Sequence, residues 1–177
     1  MRQESRFNPG VVSPAGAVGL MQLMPDAAAH ATGNARLRED TRPLFNASYN
    51  LNVGQDYVTW LMNEGVGYDI LRTVAAYNGG PATLQRTAQM LGDDDESLMV
   101  IECMPARETR DYVERVMAAY WTYRKKFGQE VKTLDALATG EKYVDARWDS
   151  EPPPVIEKTT SRSHAHKGKG KGHRRKA

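Results

Sequence analysis

Cysteine is almost absent from this sequence, because Cys103 is the only one in 177 residues. A single thiol cannot form an intramolecular disulfide, and it excludes zinc sites that are built from several cysteines. We expect Cys103 in the protein interior, where a free thiol behaves as a small hydrophobic side chain.

Long apolar runs are lacking as well. A membrane-spanning helix needs about 18 consecutive apolar residues, and no such run occurs. The residues around Met1 also lack the apolar stretch of a signal peptide. Aromatic residues are few, at 8%, whereas 40% of the residues are hydrophobic and 26% are charged. This composition and length predict one globular domain, and the mean hydropathy of -0.62 predicts an additional solvated segment.

Acidic residues are absent from positions 158 to 177, where eight residues are Lys or Arg. Residues 1 to 157 therefore hold 16 basic against 22 acidic groups, a net charge of -6. Residues 151 to 177, with Pro152 to Pro154 followed by alternating Lys and Gly, are predicted to be a Pro-rich linker and a disordered basic tail. The tail predicts nonspecific polyanion contact and no specific nucleic-acid binding, because no aromatic side chain follows Lys158 to stack on bases.

The apolar spacing of residues 1 to 130 is helical, which predicts an all-α body. Hydrophobic residues recur at steps of three and four from 47 to 61 and from 71 to 78, with Gly65 and Gly79 as stop signals. Pro25 and Pro81 fit the first turns of two further helices. A long helix is predicted last, with Val113, Val116, Tyr120, Tyr123 and Phe127 on one face and Gly128 as its stop.

Four ordered blocks of residues carry a family resemblance. They are Glu4 to Pro9 with Ser13 to Pro25, then Ala75 to Pro81, then Glu102 with Pro105, and finally Glu108 to Val113. Together they resemble the soluble lytic murein transglycosylase (SLT domain) family. The resemblance implies a lysozyme-like, all-α fold similar to goose-type lysozyme. It also implies cleavage of the β-1,4 bond between N-acetylmuramic acid and N-acetylglucosamine in peptidoglycan.

By this resemblance Glu4 is the catalytic residue, acting first as general acid and then as base, with 1,6-anhydromuramic acid ends as product. A free glutamate titrates near about 4.3, so its surroundings must raise the pKa for it to donate a proton at neutral pH. Leu20, Met21 and Met24 could form the apolar wall that does so. The alternative for Glu4 is an exposed helix acid.

The resemblance also implies several substrate-binding residues. Tyr77 falls where the family places a hydroxyl near the catalytic glutamate, although it could also be a core aromatic. Met24 would form the floor of the subsite for the muramic sugar, or it would simply fill space in the core. Glu102 would be a second acidic site residue, or a buried helix-end acid paired with an arginine. Arg110 and Tyr112 are expected to hold helices together. The substrate-binding candidates are Ser13, Gln22, Met24, Tyr77, Asn78 and Glu102.

The predicted organisation is a catalytic domain over residues 1 to 130 with a truncated first helix, an extension of that body over 131 to 150, and the linker and tail over 151 to 177. No metal or organic cofactor is expected. We expect a monomer that acts on glycan strands in the periplasm or cell envelope. The alternatives are a hydrolytic muramidase of the same fold and a catalytically impaired wall-binding or polyanion-binding fragment.

Overall fold

The structure, a computed structural model, describes residues 1–150, so the predicted linker and basic tail lie outside the described residues. Within that part helices and turns dominate, and only isolated bridges such as Val12 with Val18 replace strands. No described helix is long and apolar enough to cross a membrane. The helices are α1 (Arg2–Ser5), α2 (Pro25–Thr32), α3 (Ala47–Trp60), α4 (Ile70–Gly79), α5 (Pro81–Leu91), α6 (Ser97–Glu102), α7 (Arg107–Lys126) and α8 (Lys132–Ala138).

The all-α prediction is confirmed, and its helix boundaries follow the local signals. Pro25 and Pro81 each open a helix, as a residue without an N–H can at little cost. α3 continues into a π-helical turn over Leu61–Gly65, which ends at the predicted stop, Gly65. Gly33 and Gly128 follow α2 and α7 with positive φ angles, the conformation that favours glycine after a helix.

The predicted apolar face of α7 is only partly buried. Val113 is buried and Tyr120 packs against the core. Tyr123 and Phe127 are 41% and 71% exposed and stack on each other with ring centroids 6.5 Å apart. The last turn of α7 extends beyond the hydrophobic core. The apolar residues there keep their helical spacing although their side chains are exposed.

Two hydrophobic clusters form the interior. The larger one joins α4, α6 and α7 through residues such as Leu71, Val100 and Met117. The smaller one joins α2 and α3 to the segment before α2, around Leu23 and Val53. Tyr77 packs against both clusters, which places it at the seam between the two halves of the body.

Residues 131–150 pack tightly on the helical body. Val144 is fully buried in the larger cluster, and its N–H donates to Asp69 Oδ2 at 2.7 Å. Asp149 is also buried and accepts hydrogen bonds from Tyr120 Oη and from the N–H and hydroxyl of Thr133. These two carboxylates therefore tie the segment to α4 and α7.

The segment from Val11 to Met24 crosses the smaller cluster without regular structure and is anchored by the side chain of Asn50. This amide is fully buried on α3. Its Oδ1 accepts from the N–H of Met21 at 2.8 Å, and its Nδ2 donates to the carbonyls of Val18 and Leu44 at 3.0 and 2.9 Å. One side chain thus binds three backbone groups, of which the Val18 carbonyl also accepts from the N–H of Leu23.

Glycines allow this segment to approach α3 so closely. A β-carbon on Gly19 would lie 2.4 Å from Asn50 Nδ2 and 2.5 Å from the carbonyl oxygen of Leu44. On the other side, a β-carbon on Gly54 would lie 2.8 Å from Cγ of Met21. Both positions must therefore be glycine for the segment to lie as it does.

Cys103 is exposed, contrary to the prediction that it is buried. It follows the end of α6, where Ile101 and Met104 take the buried positions. The apolar neighbours in the sequence therefore do not bury the thiol, because the chain turns there.

We predict that Asn50→Ala destabilises the protein by about 2 kcal/mol or more, since the N–H of Met21 and the carbonyl of Leu44 lose this partner and each buried group left unsatisfied costs about 1 to 3 kcal/mol. The measurement is urea unfolding followed by far-UV circular dichroism. Asn52→Ala is the matched control, because Asn52 is exposed on the same helix and should change stability by less than about 0.5 kcal/mol. Equal stability of the two variants would contradict the anchoring role of Asn50.

Candidate active site

Glu4 lies near the end of α1, the short helix over Arg2–Ser5. The next residue, Ser5, is buried and its hydroxyl donates to the carbonyl of Leu20 at 2.9 Å. Arg6 and Phe7 then leave the helix with φ angles of 50° and 65°. Two successive non-glycine residues in the left-handed region are strained, and such strain is often found at functional sites. The hydrogen bond from Ser5 to Leu20 therefore fixes the helix that carries Glu4 to the Val11 to Met24 segment.

The Glu4 side chain lines a cavity of about 320 Å³ with mostly apolar walls, which we name the first cavity. Glu4 is the only acidic residue among the described residues that line it. Its Oε1 accepts a hydrogen bond from the hydroxyl of Tyr112 on α7. The other walls include Met21, Val58, Met62, Ile70, Val74, Tyr77 and Val116.

Burial raises the pKa of Glu4, because an apolar wall disfavours the charged carboxylate. The Tyr112 hydrogen bond and the α-amino group of Met1 act against this by stabilising the charge, while the nearby Glu108 raises the pKa further. The net direction is upward, so the protonated carboxyl persists to higher pH than in a free glutamate.

Tyr77 does not hydrogen-bond to Glu4, contrary to the prediction for its hydroxyl. It donates instead to the carbonyl of Met21 at 2.8 Å. Tyr77 still lines the first cavity, and its pKa is raised by burial and then by the charge of Glu4. Tyr77 therefore shapes the wall and holds the backbone beside Glu4.

The contact between Tyr112 and Glu4 is one that the sequence analysis missed. Tyr112 lies inside the Glu108 to Val113 block, yet a role between helices was expected for it. Its pKa is raised by burial and by the neighbouring carboxylate, so the hydroxyl keeps its proton and acts as a donor to Glu4. The block pointed to this region, but the partners are 108 positions apart in the sequence, so local patterns could not reveal the pairing.

A second cavity, of about 560 Å³, shares Tyr77 with the first one. Four of the six predicted substrate-binding residues line it together: Gln22, Met24, Tyr77 and Asn78. Met24 is 43% exposed, which fits a cavity floor better than core filling. Gln22 uses its amide within the protein, donating to the carbonyls of Val11 and Gly19, and Asn78 accepts from Thr109 at 2.8 Å.

Ser13 and Glu102 line neither of these cavities. The Ser13 hydroxyl accepts from the N–H of Ala17 at 3.0 Å, which is a turn-forming role. Glu102 is exposed rather than buried, and lines a separate groove with Arg107 and Arg110. α6 ends at Glu102, so its side chain reaches solvent and needs no buried partner. Among residues 1–150, no cluster of three or more potential ligand side chains could hold a metal ion.

A family model described as the transglycosylase SLT domain matches residues 1–100. The chain belongs to this family. The soluble lytic murein transglycosylase of Escherichia coli K12 is 33% identical over 144 residues, which are 80% of this chain and 22% of that protein. The chain thus spans about a fifth of the length of that relative.

Two solved structures share the fold. The 70 kDa soluble lytic transglycosylase of Escherichia coli matches with a TM-score of 0.62 and 35% identity, over 72% of this chain and 21% of that one. An inactive mutant of the lytic transglycosylase Slt from Pseudomonas aeruginosa matches with a TM-score of 0.60 and 31% identity, over 72% of this chain and 20% of that one. The lysozyme-like helical fold predicted from the sequence is confirmed.

We predict that Glu4→Gln stabilises the protein at neutral pH. A carboxyl whose pKa is raised on folding favours the folded state below its unfolded pKa, and this contribution is lost as the pH rises through the folded pKa. Glutamine keeps an oxygen for Tyr112 and never acquires the charge. Thermal melts should show a higher midpoint for the variant at pH 7, with the difference shrinking towards pH 4. A variant less stable than the wild type at pH 7 would contradict the raised pKa.

Proposed function

We propose that this chain is a peptidoglycan lytic transglycosylase. It cleaves the β-1,4 bond between N-acetylmuramic acid and N-acetylglucosamine and leaves 1,6-anhydromuramic acid ends. The observation that carries the proposal is the half-buried Glu4, in an apolar cavity with a raised pKa and a tyrosine hydroxyl on its carboxylate. The substrate lies in the bacterial cell envelope, and we place the protein there as a monomer.

In the first step the protonated Glu4 donates its proton to the glycosidic oxygen. The bond between that oxygen and C1 of the muramic sugar breaks, and the N-acetylglucosamine side leaves as an alcohol. Positive charge develops at C1, and the N-acetyl group of the same sugar stabilises it. The raised pKa increases the share of Glu4 that holds this proton at a given pH.

In the second step Glu4, now a carboxylate, removes the proton of the 6-hydroxyl of the muramic sugar. The freed oxygen attacks C1 of the same ring, which closes the 1,6-anhydro bridge and returns the proton to Glu4. The Tyr112 hydroxyl stabilises and orients the carboxylate between the two steps. One carboxylate is enough for this sequence, consistent with Glu4 as the only described acidic residue lining its cavity.

The relatives support the same reaction class. The Escherichia coli relative is named a soluble lytic murein transglycosylase. The Pseudomonas aeruginosa structure is an inactive mutant in which a glutamate is replaced by glutamine. A single glutamate that is indispensable in a relative fits a mechanism in which one carboxyl does both proton transfers.

We predict that Glu4→Gln lowers the release of muropeptides from purified sacculi by at least about 100-fold, because the transferable proton is lost. Glu114→Gln is the matched control, since Glu114 is exposed on α7. Mass spectrometry of the wild-type products should show 1,6-anhydro ends. Reducing ends would instead identify a hydrolytic muramidase, and equal release by wild type and Glu4→Gln would refute the assignment of Glu4.

We predict that Tyr112→Phe moves the alkaline limb of the pH dependence of kcat/KM to higher pH while lowering its maximum. The hydroxyl stabilises the charged form of Glu4, so its removal raises the Glu4 pKa further and leaves the carboxylate poorly oriented. Initial rates on soluble glycan fragments from pH 4 to 9 provide the measurement, with Tyr123→Phe on the exposed face as control. An unchanged limb, or a shift to lower pH, would contradict this coupling.

A further inference from the structure

A groove of about 470 Å³, separate from both cavities, lies between α6, α7 and α8. All three helices contribute apolar side chains to it, among them Leu98, Ile101, Met117, Trp121 and Leu137. The residues of α7 that line this groove differ from those that line the first cavity, such as Tyr112 and Val116, so α7 turns a different face to each. We name it the rear groove.

The floor of the rear groove is apolar. Ile101 and Met117 belong to the larger hydrophobic cluster and are buried. Leu98 lines the same groove but is 49% exposed, and Trp121 is half-buried. An occupant that covers Leu98 and Trp121 would remove apolar surface from water, which favours binding. The rear groove therefore suits a segment with apolar side chains.

Charged side chains surround the end of the rear groove where α6 stops and α7 begins. Glu102 and Arg107 both line this end, and only residues 103 to 106 separate them in the chain. Arg107 pairs with Asp111 at 3.8 Å, with 85% of the Arg107 side chain exposed, so this ion pair is weak. An occupant that brings an acidic group beside a basic group matches Arg107 and Glu102.

The last described residue, Ser150, lies near the opposite end of the rear groove. Trp121 Nε1 donates to Thr133 Oγ1 at 2.9 Å, and this hydroxyl donates in turn to Asp149 Oδ2 at 2.6 Å. The buried Asp149 is thus linked to Trp121 through one side chain, and Ser150 follows it directly. The 27 residues after Ser150 therefore start beside the groove.

The sequence after Ser150 matches the rear groove in chemistry and length. Positions 152 to 156 carry three prolines, a valine and an isoleucine, and Glu157 and Lys158 come next. Proline-rich segments bind aromatic-lined grooves as extended chains, at a low cost in conformational entropy. An extended chain from Ser150 to Glu157 spans about 22 Å. The part of α7 between Arg107 and Trp121 spans about 21 Å.

We propose that residues 151–158 of this chain bind in the rear groove. The prolines lie against Trp121, and the two residues after them cover Leu98. Glu157 then meets Arg107 at the far end. Because the segment is attached beside the groove, its effective concentration is on the order of millimolar, which favours it over a second copy of the chain. This inference is independent of the activity proposed above.

The test uses the thiol of Cys103, the only cysteine of the chain, as the site of a nitroxide spin label. Cys103 is exposed and follows Glu102, so the label lies beside the charged end of the rear groove. In the ¹⁵N-labelled full chain the nitroxide broadens the amide NMR signals of nearby residues. We expect the signals of Glu157 and Lys158 to lose most of their intensity, and to recover it when the nitroxide is reduced with ascorbate.

Variants of the segment separate binding from chance approach of the chain to the label. The double variant Val155→Asp with Ile156→Asp should restore the Glu157 signal, because charged side chains oppose contact with an apolar floor. Ser161→Asp with Ser163→Asp is the matched control. It adds the same charge beyond the segment and should leave the broadening in place.

A variant of the groove tests the other partner. Leu98→Asp should restore the Glu157 signal in the same way. Met99→Asp is its control, because Met99 is an exposed neighbour on α6 that does not line the groove. The amide signals of residues 1–150 report in each sample whether the body is folded as in the wild type.

Glu157 and Lys158 signals that keep their intensity beside the labelled Cys103 would overturn the proposal. Equal broadening in the wild type and in the Val155→Asp, Ile156→Asp variant would overturn it too. A mixture of spin-labelled protein without ¹⁵N and unlabelled protein with ¹⁵N tests the other occupant. Broadening as strong in this mixture as in the doubly labelled sample would assign the groove to a second copy and contradict binding within one chain.

Discussion

The buried amide of Asn50 is the interaction on which the arrangement of the site depends. The Val11 to Met24 segment has no regular structure, so its backbone groups must find partners outside a helix or sheet. Asn50 on α3 binds two such groups, the N–H of Met21 and the carbonyl of Val18, and Ser5 and Tyr77 bind the carbonyls of Leu20 and Met21. Because Ser5 adjoins Glu4, the same contacts that hold the segment also position the carboxyl.

The chemistry of Glu4 rests on a balance between two environments. Apolar walls raise its pKa, whereas the Tyr112 hydroxyl stabilises the charged form and lowers it. In the proposed mechanism Glu4 first gives a proton and then takes one, so both of its protonation states must be accessible near neutral pH. An apolar cavity alone would hold the proton too firmly, and a hydrogen-bonded surface acid would release it too early. The site therefore combines partial burial with one directed hydrogen bond, at some cost in stability.

Local features of the sequence predicted the helices well and the site in part. Pro25, Pro81 and the glycines that stop helices act within a few residues, and the structure follows them. Tyr112 was missed, because its bond to Glu4 joins the two ends of the body. Cys103 was expected inside as a small hydrophobic side chain and Glu102 because its neighbours are apolar, yet α6 ends there and both are exposed. The family resemblance identified the candidate residues. Which of their side chains contact each other depends on how the helices pack, and the sequence does not show this packing.

The most direct test of this account is the pKa of Glu4 itself. Carbon-13 NMR of the protein labelled at glutamate side-chain carboxyls, with the Glu4 signal assigned by its loss in Glu4→Gln, follows this group through a pH titration. We expect the Glu4 carboxyl to titrate above the value of an ordinary glutamate. A Glu4 signal that titrates at or below the ordinary value would contradict the claim that burial keeps this group protonated for catalysis.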